Sequence, residues 1–501
     1  MPATQRPLTV IRRARLVEIG GVAGPPEPVD VMLSDGHVTE IAPRVSRPEG
    51  AEELDADGRW LMPGLWDAHT HPVMWGLARR RIDLAGTAGP QEVCRRVADH
   101  LAGHPGAGLV VGYGYRSAAW AEQPRVAELD AVSGGRPVAL ASGDGHNGWL
   151  NTAALQLIGE TAREGAFAEE EWFAAYRRIE AITAETEDPE EGLRVALDEA
   201  AAKGVVGIVD FEFGSAWRAW PERISSGNPP LRVRAATYAD GLEGVAAAGL
   251  RTGDRLVPEC DLVTMGPLKV ISDGSLGTLT AWCHQPYGPA HRHGSANLDL
   301  AGLTALMTRA REIGLEAAIH AIGDAAFAQT LDAFEGAGQR GRVEHAQLVE
   351  IGELPHMAAL GLTASVQPWH LIDDRDATDQ LWGDRSERVF AFRALADAGI
   401  PLVLGSDAPV APLDPWAAMA AAVHRSGDAR GPWHPEQSLT VAEALAASTD
   451  GRTTTAPGMP ADLVLVDRNP HEAAGMPGPE AAAYLRAVGV EATFVAGLRT
   501  H

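Results

Sequence analysis

The sequence predicts an α/β protein in which a parallel β/α barrel is joined to a small β domain built from both ends of the chain. Strand-like and helical segments alternate between residues 64 and 445, a pattern typical of a barrel with right-handed crossovers. Each end of the chain holds only a few strand-like segments, which could not bury a core alone. Several central strand candidates end in polar side chains, and a barrel carries its chemistry where its strands end.

The two ends of the chain, residues 1–63 and 446–501, are expected to form one composite domain. An Asp35-Gly36 turn between two strand-like segments indicates an antiparallel hairpin near the N-terminus. The strand-like segments of the two ends are 8–19, 29–34, 37–41, 461–467 and 492–497. Because neither end can form a core by itself, we expect these strands to pair, with the barrel inserted between them.

The region 64–445 is expected to form the barrel. It holds more strand candidates than the eight that a barrel needs, so one or two of them belong to insertions. The candidates that follow the first strand are 109–113, 137–142, 205–211, 232–238, 267–272, 315–320, 342–345, 363–367 and 401–406. An Ala- and Glu-rich stretch near 151–200 has a helical pattern and is predicted to be an insertion, either a lid or a solvated helical pair.

Composition excludes several classes of partner. The formal net charge of −25 and the pI of about 5.1 argue against nucleic acid and against anionic membrane surfaces, which would repel the chain. We find no apolar run long enough for a transmembrane helix. Three widely separated cysteines indicate reduced thiols and therefore a cytoplasmic protein.

The chemistry-bearing residues lie at or near the ends of strand candidates. His69 and His71 are one residue apart, so on a strand they face the same side and can share one divalent metal. Each of these residues alone has an ordinary structural explanation, such as a hydrogen bond or a helix cap. The occurrence of ligand-type residues in five strand candidates has no such explanation and indicates a metal site. The predicted ligand-type residues, in chain order, are His69, His71, Lys269, His320, His345 and Asp407.

Lysine is rare in this chain, which uses arginine almost everywhere. Only Lys203 and Lys269 are lysines, and Lys269 stands in a segment that is otherwise apolar. A buried lysine amine can lose its proton and act as a nucleophile, which arginine cannot do. Lys269 could therefore add carbon dioxide and become a carbamate; the alternative is an ion pair with a buried acid.

Seven segments of the sequence carry a resemblance to a known family. The segments are LMPGLWDAHTHP, SGDGHNGWLN, KVISDGSLGTLTA, AIHAIGDAA, RVEHAQL, LGSDAPV and PGMPADLVLVD. In this order they resemble the amidohydrolase superfamily, and within it the family 3 group that includes YtcJ-like proteins and N-substituted formamide deformylases. The resemblance implies a distorted (β/α)8 TIM-type barrel with a composite β-sandwich domain, and a homodimer is common in the family.

The resemblance also implies a metal centre. His69, His71 and Asp407 would hold one ion, His320 and His345 a second, and N6-carboxylated Lys269 would bridge them. Without carboxylation, a single ion held by His69, His71, His320 and Asp407 remains an alternative. Zinc is the expected metal on ligand type, with iron and manganese as alternatives.

The expected reaction is hydrolysis of a carbon–nitrogen bond in a small amide-type molecule. A metal-activated hydroxide would attack the carbonyl, with Asp407 as general base and then general acid. A metal, or a protonated histidine such as His345, would stabilise the oxyanion, and His146 is expected to hydrogen-bond either the oxyanion or the substrate. A deaminase or cyclic-amide hydrolase is an alternative within enzymes, and a non-catalytic protein of the same fold is an alternative outside them.

The substrate pocket is less well defined by the sequence. The candidate contacts are Asp144, His146, Asp273 and Trp149. For the two aspartates the alternative is a local turn, and for Trp149 it is core packing. Tryptophans near strand ends would suit an apolar pocket. Members of the group often carry an arginine where this chain has Leu279.

Overall fold

The computed structural model describes residues 8–19, 27–118, 120–184, 187–227, 231–288 and 292–501. The strands are β1 Thr9–Leu16, β2 Val29–Ser34, β3 His37–Ala42, β4 Glu52–Asp55, β5 Trp60–Pro63, β6 Leu65–Thr70, β7 Ile82–Asp83, β8 Val110–Tyr115, β9 Val138–Ser142, β10 Asn147–Leu150, β11 Phe167–Ala168, β12 Val205–Asp210, β13 Arg232–Thr237, β14 Arg255–Val257, β15 Cys260–Ile271, β16 Ala317–Ala321, β17 Gly341–His345, β18 Thr363–Val366, β19 Leu402–Leu404, β20 Leu463–Val466, β21 Val490–Val495 and β22 Leu498–Arg499.

The α-helices are α1 Pro72–Ala78, α2 Pro90–Gly103, α3 Val126–Ser133, α4 Thr152–Leu157, α5 Glu169–Thr183, α6 Pro189–Ala202, α7 Ala216–Ser225, α8 Leu242–Ala248, α9 Leu300–Glu312, α10 Asp324–Ala337, α11 Leu354–Ala359, α12 His370–Leu381, α13 Phe392–Asp397, α14 Pro415–His424, α15 Val441–Ala447 and α16 Gly478–Arg486.

Strands from the two ends of the chain share one sheet, in the order β22-β21-β20-β5-β1-β2-β3, with β4 paired to β1. The two ends meet where β5 pairs antiparallel with β20, placing Leu61 opposite Leu465. Apolar side chains of both ends, Val31 and Phe494 among them, form one buried cluster. The predicted Asp35-Gly36 turn joins β2 to β3, and both of its residues have positive φ, as a tight hairpin turn requires.

The centre of the chain forms the predicted parallel barrel. Its strands follow the order β6-β12-β13-β15-β16-β17-β18-β19, and each neighbouring pair is parallel. The circle is nearly closed by a parallel bridge between Thr70 and Ala408. Just beside this bridge, the amide of Asp407 donates to the carbonyl of His69 at 2.7 Å. The closing seam therefore brings the end of β6 against the segment that follows β19.

The insertion is larger than the sequence predicts. The candidates at 109–113 and 137–142 become β8 and β9 of a separate five-stranded sheet, in the order β11-β10-β9-β8-β7. The other seven candidates join β6 to make the eight barrel strands. β8 and β9 are a parallel pair with mostly buried residues, so their apolar runs look like those of barrel strands.

The stretch near 151–200 is mainly helical, as expected, but it is divided between two parts of the fold. α4 and α5 pack with the five-stranded sheet, whereas α6 precedes barrel strand β12 and packs against α1. A Cβ atom on Gly76 of α1 would lie 2.3 Å from the backbone of Gly192 in α6, so this packing requires glycine. In the described part of the chain, we find no helix long and apolar enough to span a bilayer. Cys94, Cys260 and Cys283 are free thiols.

Candidate active site

The first histidine, His69, lies in β6, whose residues are all buried, and His71 follows that strand as the N-cap residue of α1. Because side chains alternate along a strand, Asp67, His69 and His71 share one side of this segment. The carboxylate of Asp67 accepts hydrogen bonds from the amides of His69 at 3.1 Å and Ser406 at 2.9 Å. A Cβ atom on Gly405 would lie 2.7 Å from the amide nitrogen of His69, so a glycine lets the two strand ends approach.

The structure brings the six predicted ligand residues together at the carboxyl ends of the barrel strands. Ligand atoms of His69, His345 and Asp407 all lie within 4.8 Å of one another, and all three side chains are buried. Asp407 Oδ1 is 3.4 Å from His69 Nε2 and 3.3 Å from His71 Nε2. Lys269 Nζ lies 3.5 Å from His69 Nε2.

His345 lies close to both of the ligand groups that the family resemblance implies. It shares a cluster with His69 and Asp407, although its ring centroid is also only 4.6 Å from that of His320. His345 and Asp407 have φ angles of 70° and 57°, a left-handed conformation that is unfavourable for residues other than glycine. Strain of this kind persists where surrounding structure enforces it, and it concentrates at functional sites.

A second layer of carboxylates orients the histidines. Glu344 Oε2 lies 2.7 Å from His69 Nδ1, which leaves Nε2 of that ring to face the cluster. Asp273 Oδ1 lies 3.1 Å from His320 Nδ1. Such partners fix the ring orientation and raise the basicity of a ligand histidine. Glu344 was missed by the sequence analysis, although it stands next to His345 in the same strand.

The protonation states suit a divalent cation. Burial, assisted by the charge of Lys269, lowers the pKa of His69 to about 4. Burial and the neighbouring His320 hold the pKa of His345 well below its ordinary value. Burial also lowers the pKa of Lys269 to about 8, so a neutral amine is accessible near physiological pH.

Among the predicted ligand histidines, several buried ring nitrogens have no hydrogen-bond partner in the described part of the chain. They are His71 Nδ1, His345 Nδ1 and both ring nitrogens of His320, of which Nδ1 has only the ionic contact with Asp273. An unsatisfied buried polar atom costs about 1–3 kcal/mol. A bound metal would remove that cost for the nitrogens that face it, since neutral imidazole nitrogen and carboxylate oxygen are the donors that zinc prefers. The residues present therefore fit a divalent metal.

Two adjoining cavities meet at this cluster. One, of about 520 Å³, has an apolar wall of Met74, Tyr113, Phe173, Phe213 and Tyr238. The other, of about 390 Å³, is more polar and includes Arg116, Ser275, Gln347, His370 and Asp374. Both cavities are lined by Asp144, His146, His320, His345 and Asp407.

Two predicted substrate contacts lie elsewhere. Trp149 is completely buried in the core of the insertion, and its Nε1 donates to the carbonyl of Arg125 at 2.9 Å. Asp273 is also completely buried, and accepts hydrogen bonds from the amides of Ile322 and Gly323 at 3.1 and 2.9 Å. Phenylalanine and tyrosine, and not the expected tryptophans, form the apolar wall of the cavity. The sequence could not distinguish these aromatic residues because core packing uses the same residue types.

His146 does line the site, and it is held by a residue that the sequence analysis did not single out. Its Nδ1 is 2.9 Å from Oε2 of Glu169. Burial alone would lower the pKa of His146, but the Glu169 carboxylate outweighs that effect and raises it to about 9. Burial would likewise raise the pKa of Glu169, yet His146 and two threonine hydroxyls lower it to about 2.

A parallel barrel whose strand ends gather four histidines, a lysine and an aspartate around a cavity has the architecture of a metal-dependent hydrolase. An uncharacterised metal-dependent hydrolase from Pyrococcus horikoshii OT3 has this fold, with a TM-score of 0.76 and 25% identity over 93% of this chain and 98% of its own.

A model of the amidohydrolase family, in its family 3 form, matches residues 52–497, and the chain belongs to that family. The predicted membership is confirmed. The N-substituted formamide deformylase of Arthrobacter pascens is 27% identical over 497 residues, covering 89% of this chain and 91% of the relative. Protein LONG AFTER FAR-RED 3 of Arabidopsis thaliana is 27% identical over 469 residues, covering 84% of this chain and 80% of the relative.

Proposed function

We propose that the protein is a metal-dependent hydrolase that cleaves an amide-type, non-peptide carbon–nitrogen bond in a small molecule. The observation that carries the proposal is the buried cluster of His69, His345 and Asp407, whose ligand atoms lie within 4.8 Å of one another at the cavity. A divalent metal, zinc on ligand type, would supply a hydroxide nucleophile at neutral pH. The free thiols of Cys94, Cys260 and Cys283 support the cytoplasm as the compartment.

The number of ions depends on Lys269. With a free amine, His69, His71, His320 and Asp407 would hold one ion. With a carbamate, Lys269 would be a further carboxylate ligand, and His320 and His345 would hold a second ion. The burial of Lys269, which lowers the pKa of its amine to about 8, supports the carbamate.

Asp407 is assigned the proton transfers. Its carboxylate lines both cavities and lies within 3.4 Å of two histidines, so it is held at the point where water and substrate meet. It accepts the proton of the attacking water and returns it to the leaving nitrogen. His146 donates to the oxyanion, because its raised pKa keeps the ring protonated at neutral pH. His345 is neutral and lies among the ligands, so that role passes to His146.

The apolar wall supports a substrate with an apolar substituent on one side of the amide. Phe213 and Tyr238 are stacked with ring centroids 5.4 Å apart, and Phe173 lies 5.9 Å from Phe213. Such a surface gains free energy by covering an apolar group. The relative from Arthrobacter pascens is named for N-substituted formamides, which carry a group of this kind.

The test is a substrate panel on the zinc-loaded protein: N-substituted formamides, N-acyl amines, cyclic ureides and dipeptides. The readout is release of an amine or ammonia for the linear substrates and loss of the intact ring, followed by chromatography, for the cyclic ureides. We expect linear amides to be hydrolysed, and Asp407→Asn to lower kcat at least about a hundredfold while circular dichroism stays unchanged. Turnover of cyclic ureides or ammonia release alone would support the cyclic-amide or deaminase alternative. Turnover of dipeptides would refute the non-peptide assignment. A protein that binds no divalent metal would refute the hydrolase.

A further inference from the structure

His146 reaches the cavity from the insertion and not from the barrel. It lies between β9 and β10, and its ring centroid is 5.9 Å from that of His320. In the described part of the chain, the bond to Glu169 at 2.9 Å is the single hydrogen bond of the ring. Since that bond uses Nδ1, the Nε2 atom is left to face the cavity.

The backbone around His146 is fixed at two more points. The carbonyl of His146 accepts from the amide of Glu169 at 2.9 Å. The amide of His146 donates to Asp144 Oδ1 at 3.2 Å. Glu169 therefore holds His146 by its ring and by its main chain, which restrains the direction in which Nε2 points.

Glu169 is tied on its other side to the barrel. Its Oε1 accepts hydrogen bonds from the hydroxyls of Thr278 at 2.6 Å and Thr280 at 2.5 Å. Both threonines lie in the loop that follows β15, the strand that carries Lys269. A Cβ atom on Gly274 would lie 2.8 Å from this carboxylate oxygen, so a glycine leaves room for the contact.

The backbone of Glu169 is itself unusual. Glu169 is the first residue of α5 and has a φ of 51°, in the region that favours glycine. A non-glycine residue there costs on the order of 1–3 kcal/mol and persists only where its surroundings enforce it. The two threonine hydrogen bonds would be enough to hold the insertion against the barrel. The hydrogen bond to His146 Nδ1 is not needed for that, and it restrains the orientation of the His146 ring in the cavity.

We propose that Glu169 is a positioning residue, which holds a proton on Nδ1 of His146 and aims Nε2 at the amide that is hydrolysed. The inference rests on the proposed function, in which His146 donates to the oxyanion. It makes the insertion part of the active site, because the residue that orients a cavity histidine is supplied by α5.

A double-mutant cycle tests the proposal. Glu169→Gln, His146→Asn and the double variant are compared for kcat and KM on an amide that the wild-type protein hydrolyses, with zinc content and circular dichroism measured for each. We expect Glu169→Gln to lower kcat about 10- to 100-fold, taking as a guide the loss seen when a metal-ligating histidine loses the partner that orients it. Since Glu169 acts through His146, the double variant should be no slower than His146→Asn alone.

Glu170→Gln is the matched control, because Glu170 is the next residue of the same helical turn and its side chain is exposed. It should leave kcat and KM unchanged. Losses that multiply in the double variant would overturn the proposal, as would a fall in zinc content that accounts for the whole effect of Glu169→Gln.

A second readout does not depend on activity. In zinc-loaded protein labelled with ¹⁵N-histidine, the Nδ1 proton of His146 should give a downfield resonance, identified by its loss in His146→Asn. In Glu169→Gln this resonance should move upfield, since a bond to a charged acceptor becomes a bond to a neutral one. If the wild-type protein hydrolyses no amide, the proposed function fails. The resonance still tests the positioning proposal in that case. An upfield shift in Glu169→Gln supports positioning of His146 by Glu169, and an unchanged resonance overturns the proposal.

Discussion

Glu344→Gln is the substitution that most directly tests the metal site. Glu344 is completely buried, and its Oε2 lies 2.7 Å from Nδ1 of His69. Burial alone would raise the pKa of Glu344, but Arg342 and His69 lower it to about 2, so the group is a carboxylate at every relevant pH. Glutamine keeps an oxygen near the same place but removes the charge that orients the imidazole and increases its basicity.

The expected size of the effect follows from that geometry. Loss of an outer partner of a ligand histidine typically costs about 10- to 100-fold in metal affinity, which is about 1.4–2.7 kcal/mol. We expect the Kd for zinc, measured by competition with a chelating dye, to rise by that factor. The metal-free variant should also melt at a lower temperature, because Arg342 Nε lies 2.6 Å from Glu344 Oε1 and loses its charged partner.

Glu335→Gln provides the control. Glu335 Oε2 lies 3.4 Å from His356 Nε2, so it is also a histidine–carboxylate pair, but the Glu335 side chain is 67% exposed. Exposed pairs contribute little, and this one is not among the cavity residues, so its Kd for zinc should equal that of the wild-type protein. A Glu344→Gln Kd within twofold of the wild-type value would show that Glu344 does not support the metal site.

Two further predictions concern the substrate wall and the acid stability. Phe213→Ala should raise KM about tenfold for amides with a bulky apolar substituent, because the lost contact is worth about 1–2 kcal/mol. The KM for small formamides should not change. An equal rise in KM for both kinds of substrate would show that Phe213 does not bind the apolar substituent. The Arg393 bond lowers the pKa of Glu443 to about 2. A carboxyl group whose pKa is lower in the folded than in the unfolded protein stabilises the fold above the unfolded pKa, and this stabilisation is lost as the pH falls toward the folded pKa. The Tm difference between the wild-type protein and Glu443→Gln should therefore shrink between about pH 5 and pH 3. A Tm difference that is constant over this range would contradict the assignment.

The sequence was sufficient to predict the barrel because strand-like segments alternate with helical ones and several of them end in metal-ligand residue types. In a parallel barrel, all carboxyl ends open on the same face. Residues as far apart in the chain as His69 and Asp407 could therefore be placed together before any coordinates were known, and their side chains lie 3.4 Å apart in the structure. The same argument placed Lys269, whose amine lies 3.5 Å from His69 Nε2.

Other parts of the site depend on contacts that no local pattern shows. β8 and β9 are buried parallel strands, so periodicity could not assign them to a second sheet. Trp149 follows His146 by three residues, yet its ring packs into the insertion core while His146 faces the cavity. Glu169 lies 23 residues after its histidine partner, at the start of a helix whose acidic first turn has an ordinary explanation.

The loop 273–280, which belongs to the family-like segment KVISDGSLGTLTA, contacts both a predicted ligand and the insertion. Asp273 touches His320 at 3.1 Å, so the first residue of the loop orients a predicted ligand. A Cβ atom on Gly277 would lie 2.0 Å from Asp144 Oδ2, and Gly274 leaves room for Glu169 in the same way. The two glycines thus admit carboxylates from the insertion, while the aspartate serves the barrel. Asp273, Gly274 and Gly277 each face a different carboxylate or imidazole, so this loop links a predicted ligand to the part of the insertion that lines the cavity.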